Sequence, residues 1–212
     1  MGSSVYPFPD TMDFSSFLLS AAALKPKVIA FANAAGDLAN CVKQMREFIP
    51  DRSVIAAAMG GFVTDVHSIG LPLAQGMLVT ETFYWDFNDR TRAFTTRLKP
   101  ASPKNYPNSE HAATYASVLH YLKTAATVGA ANAKASGRAM VAAMKKIPTD
   151  DDCFGAGYVR EDGRVIIPTH LFQAKAPSES TGEWDLYKHV ATTPADVRSE
   201  EHTSELQSRF GI

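Results

Sequence analysis

The chain has 212 residues, 45% hydrophobic and 20% charged, with 21 basic and 22 acidic side chains and a net charge of −1. That length allows one large domain or two small ones, either able to bury a core. The balanced charge offers no concentrated basic patch for a phosphate backbone, which argues against a nucleic-acid partner, and no window approaches the ~20 apolar residues of a membrane span.

Met1 to Pro7 carries neither a basic n-region nor an apolar h-region, so no signal peptide is expected there. Asp13 precedes Phe14–Leu19, whose apolar residues fall at helical spacing, with Pro26 closing the segment and Asp13 or Thr11 available as a cap. Lys27–Ala32 reads as a short buried strand. After the loop Asn33-Ala34-Ala35-Gly36, an amphipathic helix is expected over Asp37–Phe48, with Leu38, Cys41, Val42 and Met45 on one face. Val54–Ala58 is a further strand, weakened by its alanines, and Met77–Thr80 another, running into Phe83-Tyr84-Trp85. A helix over Asp86–Lys99, capped by Asp86 or Asn88, leads to a proline-rich loop and two more helices, one starting near Ser109 and one over Ser136–Ile147. From Cys153 the pattern turns to strands. Tyr158–Arg160 and Arg164–Ile167 flank the turn Glu161-Asp162-Gly163, and His170–Ala174 and Leu186–Val190 follow. Alternating strands and helices, then helices, then a strand-rich end, describe an α/β sheet protein with a returning C-terminal segment.

Two strand-to-helix loops are candidate binding elements, because ligands of open α/β sheets sit at the carboxyl ends of strands. Asn33 to Asp37 is either such a loop or a plain turn with Gly36 for freedom and Asp37 as N-cap. Met59 to His67 has the same placement: Gly60-Gly61 allows close approach, Phe62 offers an apolar face, and Thr64, Asp65 and His67 offer polar contacts. Phe83-Tyr84-Trp85 could line a cleft or pack a domain boundary. No GxGxxG or GxxxxGK[ST] loop occurs, which leaves nucleotide binding without support. The six histidines show no metal spacing, neither Cys41 nor Cys153 has a nucleophile motif, no GxSxG elbow occurs, and Asp150-Asp151-Asp152 reads as a solvated turn. The sequence gives no reason to expect an enzyme, a metal or a cofactor.

Taken together, Asp13–Leu19, Val28–Asp37, Thr64–Gly70, Gln75–Leu78, Phe83–Asp86, Tyr115–Leu122 and Gly163-Arg164 resemble the branched-chain amino acid ABC-transporter substrate-binding family, collinearly from about residue 10 to residue 194. The Phe83–Asp86 and Thr64–Ser68 stretches are similar to a subset associated with aromatic acids. The resemblance implies a partial type I periplasmic-binding-protein fold, α/β, made mostly of the C-terminal Rossmann-like lobe. Its divisions would be 1–99 as that lobe, 100–150 as helices returning to the N-terminal lobe, and 151–197 as a β-rich crossover segment. It implies a small-molecule ligand, ABC-permease partners and a periplasmic location. It places ligand contacts at Asn33, Ala34, Gly36, Asp37, Phe62, Thr64, Asp65 and His67, with Phe83, Tyr84 and Trp85 as cleft or hinge aromatics. Leucine-binding members tend to carry a tyrosine in the first loop and an acid in the second. Here the first loop has Asn33 and Ala34, and Phe62 stands near the acid's place. The departure favours a carboxylate ligand without an amine, such as an aromatic or short-chain acid, over a branched-chain amino acid. A sensory or regulatory ligand-binding domain of the same fold is the alternative. Residues 198–212 form a segment of another kind: Arg198–Ser208 resembles the translation of a short-read sequencing adapter, so this tail is expected to be non-native.

Overall fold

The computed structural model describes residues 2–196 of the chain, so the expectation for 198–212 lies outside the described residues. The elements in order are α1 (Ser15–Ala23), β1 (Val28–Phe31), α2 (Ala35–Phe48), β2 (Ile55–Ala58), α3 (Val63–Ile69), α4 (Leu71–Ala74), β3 (Leu78–Glu81), α5 (Asp89–Leu98), α6 (Ser109–Val128), α7 (Ala130–Ala135) and α8 (Gly137–Met144). Strands β4 (Thr149–Asp151), β5 (Gly155–Val159), β6 (Val165–Ile166), β7 (Thr169–Ala174) and β8 (Tyr187–Thr193) complete the fold.

The main sheet has the order β1-β2-β3-β7-β8. Its first three strands are parallel, joined through α2 and through α3 with α4, because parallel neighbours need a crossover. The chain then leaves the sheet after Glu81 and comes back at Thr169, where β7 pairs antiparallel with β3 and β8 antiparallel with β7. Between departure and return it builds α5 to α8 and a small antiparallel sheet β4-β5-β6. No helix among the described residues is long and apolar enough to cross a membrane.

Two hydrophobic cores follow from this path. The larger one joins Phe14, Leu38, Val42, Met45, Val63, Val66 and Val79 to Tyr84, Phe172 and Tyr187. The smaller one holds Phe83, Phe94, Ala112 and Cys153. The amphipathic reading of α2 agrees with its burial, since Leu38, Cys41, Val42 and Met45 are all buried. Asp13 holds the start of α1, its Oδ1 accepting from the Ser15 N–H at 2.8 Å, whereas Thr11 donates instead to the Pro7 carbonyl. For α5 the cap is Asn88, whose Oδ1 accepts from the Thr91 N–H at 3.0 Å.

Three expectations are corrected. The strand at Val28 is not buried: it is the sheet's edge, Val28 is 47% exposed, and only Phe31 is covered. An apolar run alone does not distinguish edge from centre. Asp37 is not the N-cap of α2; Ala34 holds that position, and Asp37 sits in the first turn. The acidic run at Asp150 is no free turn, because Thr149–Asp151 forms β4, Asp151 Oδ1 accepts from the Cys153 and Phe154 N–H groups, and Asp152 pairs with Arg97.

Leu38 is fully covered while Leu122, on α6, is 57% exposed. Leu38→Ala should therefore lower the unfolding free energy by about 2–5 kcal/mol in urea titration. Leu122→Ala should change it by no more than about 0.5 kcal/mol.

Candidate functional site

The carboxyl ends of β1 and β2 lie side by side, as the Met59 N–H donates to the Phe31 carbonyl at 2.9 Å. Their loops are neighbours too, since a Cβ on Gly60 would stand 4.0 Å from the Asn33 carbonyl oxygen. Asn33 turns inward: its Nδ2 donates to Cys41 Sγ at 3.2 Å, and its Oδ1 is buried. Ala34 is extended and exposed, and Ala35 takes φ +51°, a left-handed conformation that costs a non-glycine residue about 1–2 kcal/mol. Gly36 has open space around it. Asp37 Oδ2 accepts from the Tyr6 hydroxyl at 2.7 Å, and this hydrogen bond, with burial, raises the phenol's pKa.

In the second loop the glycine demanded by packing is Gly61. A Cβ there would lie 2.7 Å from the Ala58 Cβ and 3.1 Å from Leu38 Cδ2. The close approach is therefore to the molecule's own strand β2, with helix α2 next to it. Phe62 is extended and half-buried, and residues 63–69, read from sequence as a loop, form α3. Asp65 Oδ2 accepts from the Phe62 N–H at 2.8 Å, closing the helix start. Burial raises the Asp65 pKa, with that hydrogen bond opposing.

The remaining candidates face elsewhere. Thr64 Oγ1 accepts from Asn108 Nδ2 at 3.3 Å, while Asn108 Oδ1 caps the start of α6 through the Glu110 and His111 N–H groups. His67 lies parallel to Trp184 with ring centres 4.0 Å apart, and its Nε2 is 3.0 Å from Glu183 Oε1. Phe83 packs on Phe94 in the smaller core, whereas Tyr84 packs on Phe172 and Tyr187 in the larger one. The Tyr84 hydroxyl donates to the Trp184 carbonyl at 3.2 Å and accepts from the Leu186 N–H at 3.1 Å, and burial pushes its pKa up to about 12. Trp85 Nε1 also donates to the Trp184 carbonyl, at 2.8 Å. Trp85, Tyr106 and Trp184 line an open hollow of about 620 Å³ with Lys99 and Lys104. The structure thus brings Asn33, Ala34, Gly36 and Phe62 together at the strand ends. Asp37 and Asp65 are engaged locally, and His67 and the aromatic run belong to the junction between the cores.

Sequence reasoning missed one polar residue at that junction. Glu81 ends β3 and is 2% exposed. Its Oε2 accepts from the Ser109 hydroxyl at 2.9 Å, its Oε1 has no hydrogen-bond partner among the described residues, and burial pushes its pKa up to about 8. The only signal in the sequence is an acid at the end of an apolar run.

A periplasmic binding protein family model matches residues 1–182. A solved periplasmic binding protein from Burkholderia mallei is 38% identical, with a TM-score of 0.79 over 89% of this chain and 48% of its own. A branched-chain amino acid ABC transporter periplasmic ligand-binding protein from Burkholderia xenovorans is 34% identical, with a TM-score of 0.77 over 92% of this chain and 51% of its own. An ABC-transporter solute binding protein from Rhodopseudomonas palustris, solved in complex with 3,4-dihydroxybenzoic acid, shares the fold at 20% identity, with a TM-score of 0.69 over 86% of this chain and 49% of its own. The chain thus spans about half the length of the solved structures it matches. A search of curated proteins gives no match.

Gly61→Ala should destabilise the chain by about 1–3 kcal/mol, because backbone-linked Ala58 and buried Leu38 must both give way. Gly36→Ala, with nothing within 4 Å of the new Cβ, should not destabilise it. Thermal unfolding of the pair checks the contrast.

Proposed function

The chain belongs to the periplasmic binding protein family, and we propose that it forms one wall of the ligand cleft in the substrate-binding component of an ABC importer. In this reading the protein works in the periplasm, closes two lobes around a small solute and hands it to permease subunits. Asn33, Ala34, Gly36 and Phe62 contribute to the wall, and the second lobe supplies the facing one. The exposed apolar stripe of α6, formed by Val118, Tyr121 and Leu122, fits a surface that the rest of such a lobe would cover.

The ligand is proposed to be a small carboxylate without an amine, an aromatic or short-chain acid in preference to a branched-chain amino acid. One observation carries this: both candidate carboxylates at the site are already engaged. Asp37 accepts from Tyr6 and Asp65 accepts from the Phe62 N–H. An α-ammonium needs an available anion, since a buried charge without a partner is costly. Phe62 offers instead an apolar surface beside open backbone, which suits a ring or short alkyl chain. That the fold accommodates such a ligand is supported by the Rhodopseudomonas palustris protein in complex with 3,4-dihydroxybenzoic acid.

Calorimetry on the two-lobed protein containing this chain should give saturable heats with benzoate-type or short-chain acids and none with leucine or valine. Phe62→Ala should weaken binding by about 1.5–3 kcal/mol. Leucine binding with no response to any of the acids would falsify this assignment.

A further inference from the structure

Glu81 stands where the chain passes from one core to the other, and its carboxyl meets three separate elements. Ser109, the first residue of α6, donates its hydroxyl to Glu81 Oε2 at 2.9 Å and its N–H at 3.4 Å. The same Ser109 Oγ accepts from the Phe83 N–H at 3.1 Å, so the crossing strand and the helix start are bound to one atom. The backbone N–H of Val63, the first residue of α3, and the hydroxyl of Tyr187 on β8 lie close to the carboxyl without forming hydrogen bonds to it. Glu81 Oε1 and the Tyr187 hydroxyl are both buried and have no hydrogen-bond partner among the described residues.

We infer that Glu81 is a positioning residue: its buried carboxyl ties the end of β3 to the start of α6, close beside the first turn of α3 and Tyr187 of β8, so that the candidate ligand loop and the smaller core keep a fixed relation. The tie acts in the neutral acid form. A protonated carboxyl accepts from Ser109 at Oε2 and carries on Oε1 a proton that a small side-chain shift would direct to the Tyr187 oxygen, serving both orphaned atoms. An ionised carboxyl can only accept, and it would be held without a counter-cation. The titratable groups nearest Glu81 along the surrounding elements are Asp65 on α3, Glu110 and His111 on α6, His170 opposite Glu81 on β7, and Tyr187 and His189 on β8. The lysines of those elements are spent elsewhere: Lys188 on β8 pairs with Glu179, and Lys123 on α6 donates to the Asp150 carbonyl. Asp65 adds negative charge, and His170 has its pKa depressed to about 4 by burial and then by His189, so it is uncharged at neutral pH.

The sign follows from linkage. The pKa of Glu81 is raised, to about 8 when folded, so its contribution to the native arrangement is complete below the unfolded carboxylate range and is lost as pH rises through 8. The consequence for ligand binding rests on reading residues 59–62 as a ligand loop. The tie itself does not, so the two ideas fail separately.

Amide hydrogen exchange on the whole chain, corrected for the intrinsic pH dependence of exchange, tests the tie directly. Protection of residues 62–66 and 108–112 should fall together, by about tenfold per pH unit between the unfolded carboxylate range and pH 8, and level off above it. Helix α2 serves as the unchanged reference. Glu81→Gln, which keeps the shape and cannot ionise, should give flat profiles. Ser109→Ala, which removes a bond favouring the ionised form, should move the levelling-off point upward. A fall that persists in the Gln variant, a change in one segment alone, an unmoved levelling-off point in Ser109→Ala, or constant protection from pH 5 to pH 8 would each overturn the inference.

Discussion

Phe83 and Tyr84 are neighbours just past the end of β3, yet one ring enters each core. Everything after β3 depends on that divergence. Phe83 opens the smaller core against Phe94 and Phe154, which fixes where α5 and the β4–β5 turn sit. Tyr84 stays behind in the larger core, where its hydroxyl meets the backbone of Trp184, Leu186 and Tyr187. Those are the residues that start β8, so one phenol helps place the strand that returns about a hundred positions later. Losing that hydroxyl would cost about 0.5–1.5 kcal/mol for each hydrogen bond, since the Trp184 carbonyl keeps Trp85 Nε1 and the Leu186 N–H as partners.

Much of this order is legible in the sequence because it rests on local patterns. The i, i+3, i+4 spacing of Leu38, Cys41, Val42 and Met45 yields α2, Asn88 caps α5 through the Thr91 N–H, and the Glu161–Gly163 turn joins β5 to β6. What escapes is set by long-range contacts. Val28 and Ala56 sit in equally apolar runs, yet one is half exposed and the other covered. Only the strand order decides between edge and centre. Helix α3 escapes for another reason: Gly60-Gly61 signals a loop, and the capping role of Asp65 depends on Phe62 being extended. Gly61 invites a ligand explanation, but the atom that forbids its side chain belongs to Ala58, with Leu38 next to it.

The partial length of the chain relative to its matches bears on two exposed features. Strand β1 has one free edge, which parallel sheets normally cover. Helix α6 shows Val118, Tyr121 and Leu122 on one face while Ala112, His120 and Thr124 are buried on another. A helix buried on one side and apolar on its exposed side belongs between two layers. The smaller core, with few fully covered side chains, is the part of the molecule that a second lobe would stabilise most. The larger core carries its own sheet and needs less.

The candidate wall at the strand ends is therefore shaped more by what its charged groups already do than by which residues are present. Asp37 and Asp65 would both read as anchors for an ammonium group if only their positions were known. Freeing Asp65 means giving up its hydrogen bond to Phe62 and fraying the first turn of α3, worth about 1 kcal/mol as a lost cap. It also means recruiting a carboxylate whose burial already opposes ionisation. A ligand cation could repay this only by entering the same desolvated place with good geometry. A carboxylate ligand asks for neither change, because the exposed backbone of Ala34 and Gly36 and the half-buried ring of Phe62 are available as they stand.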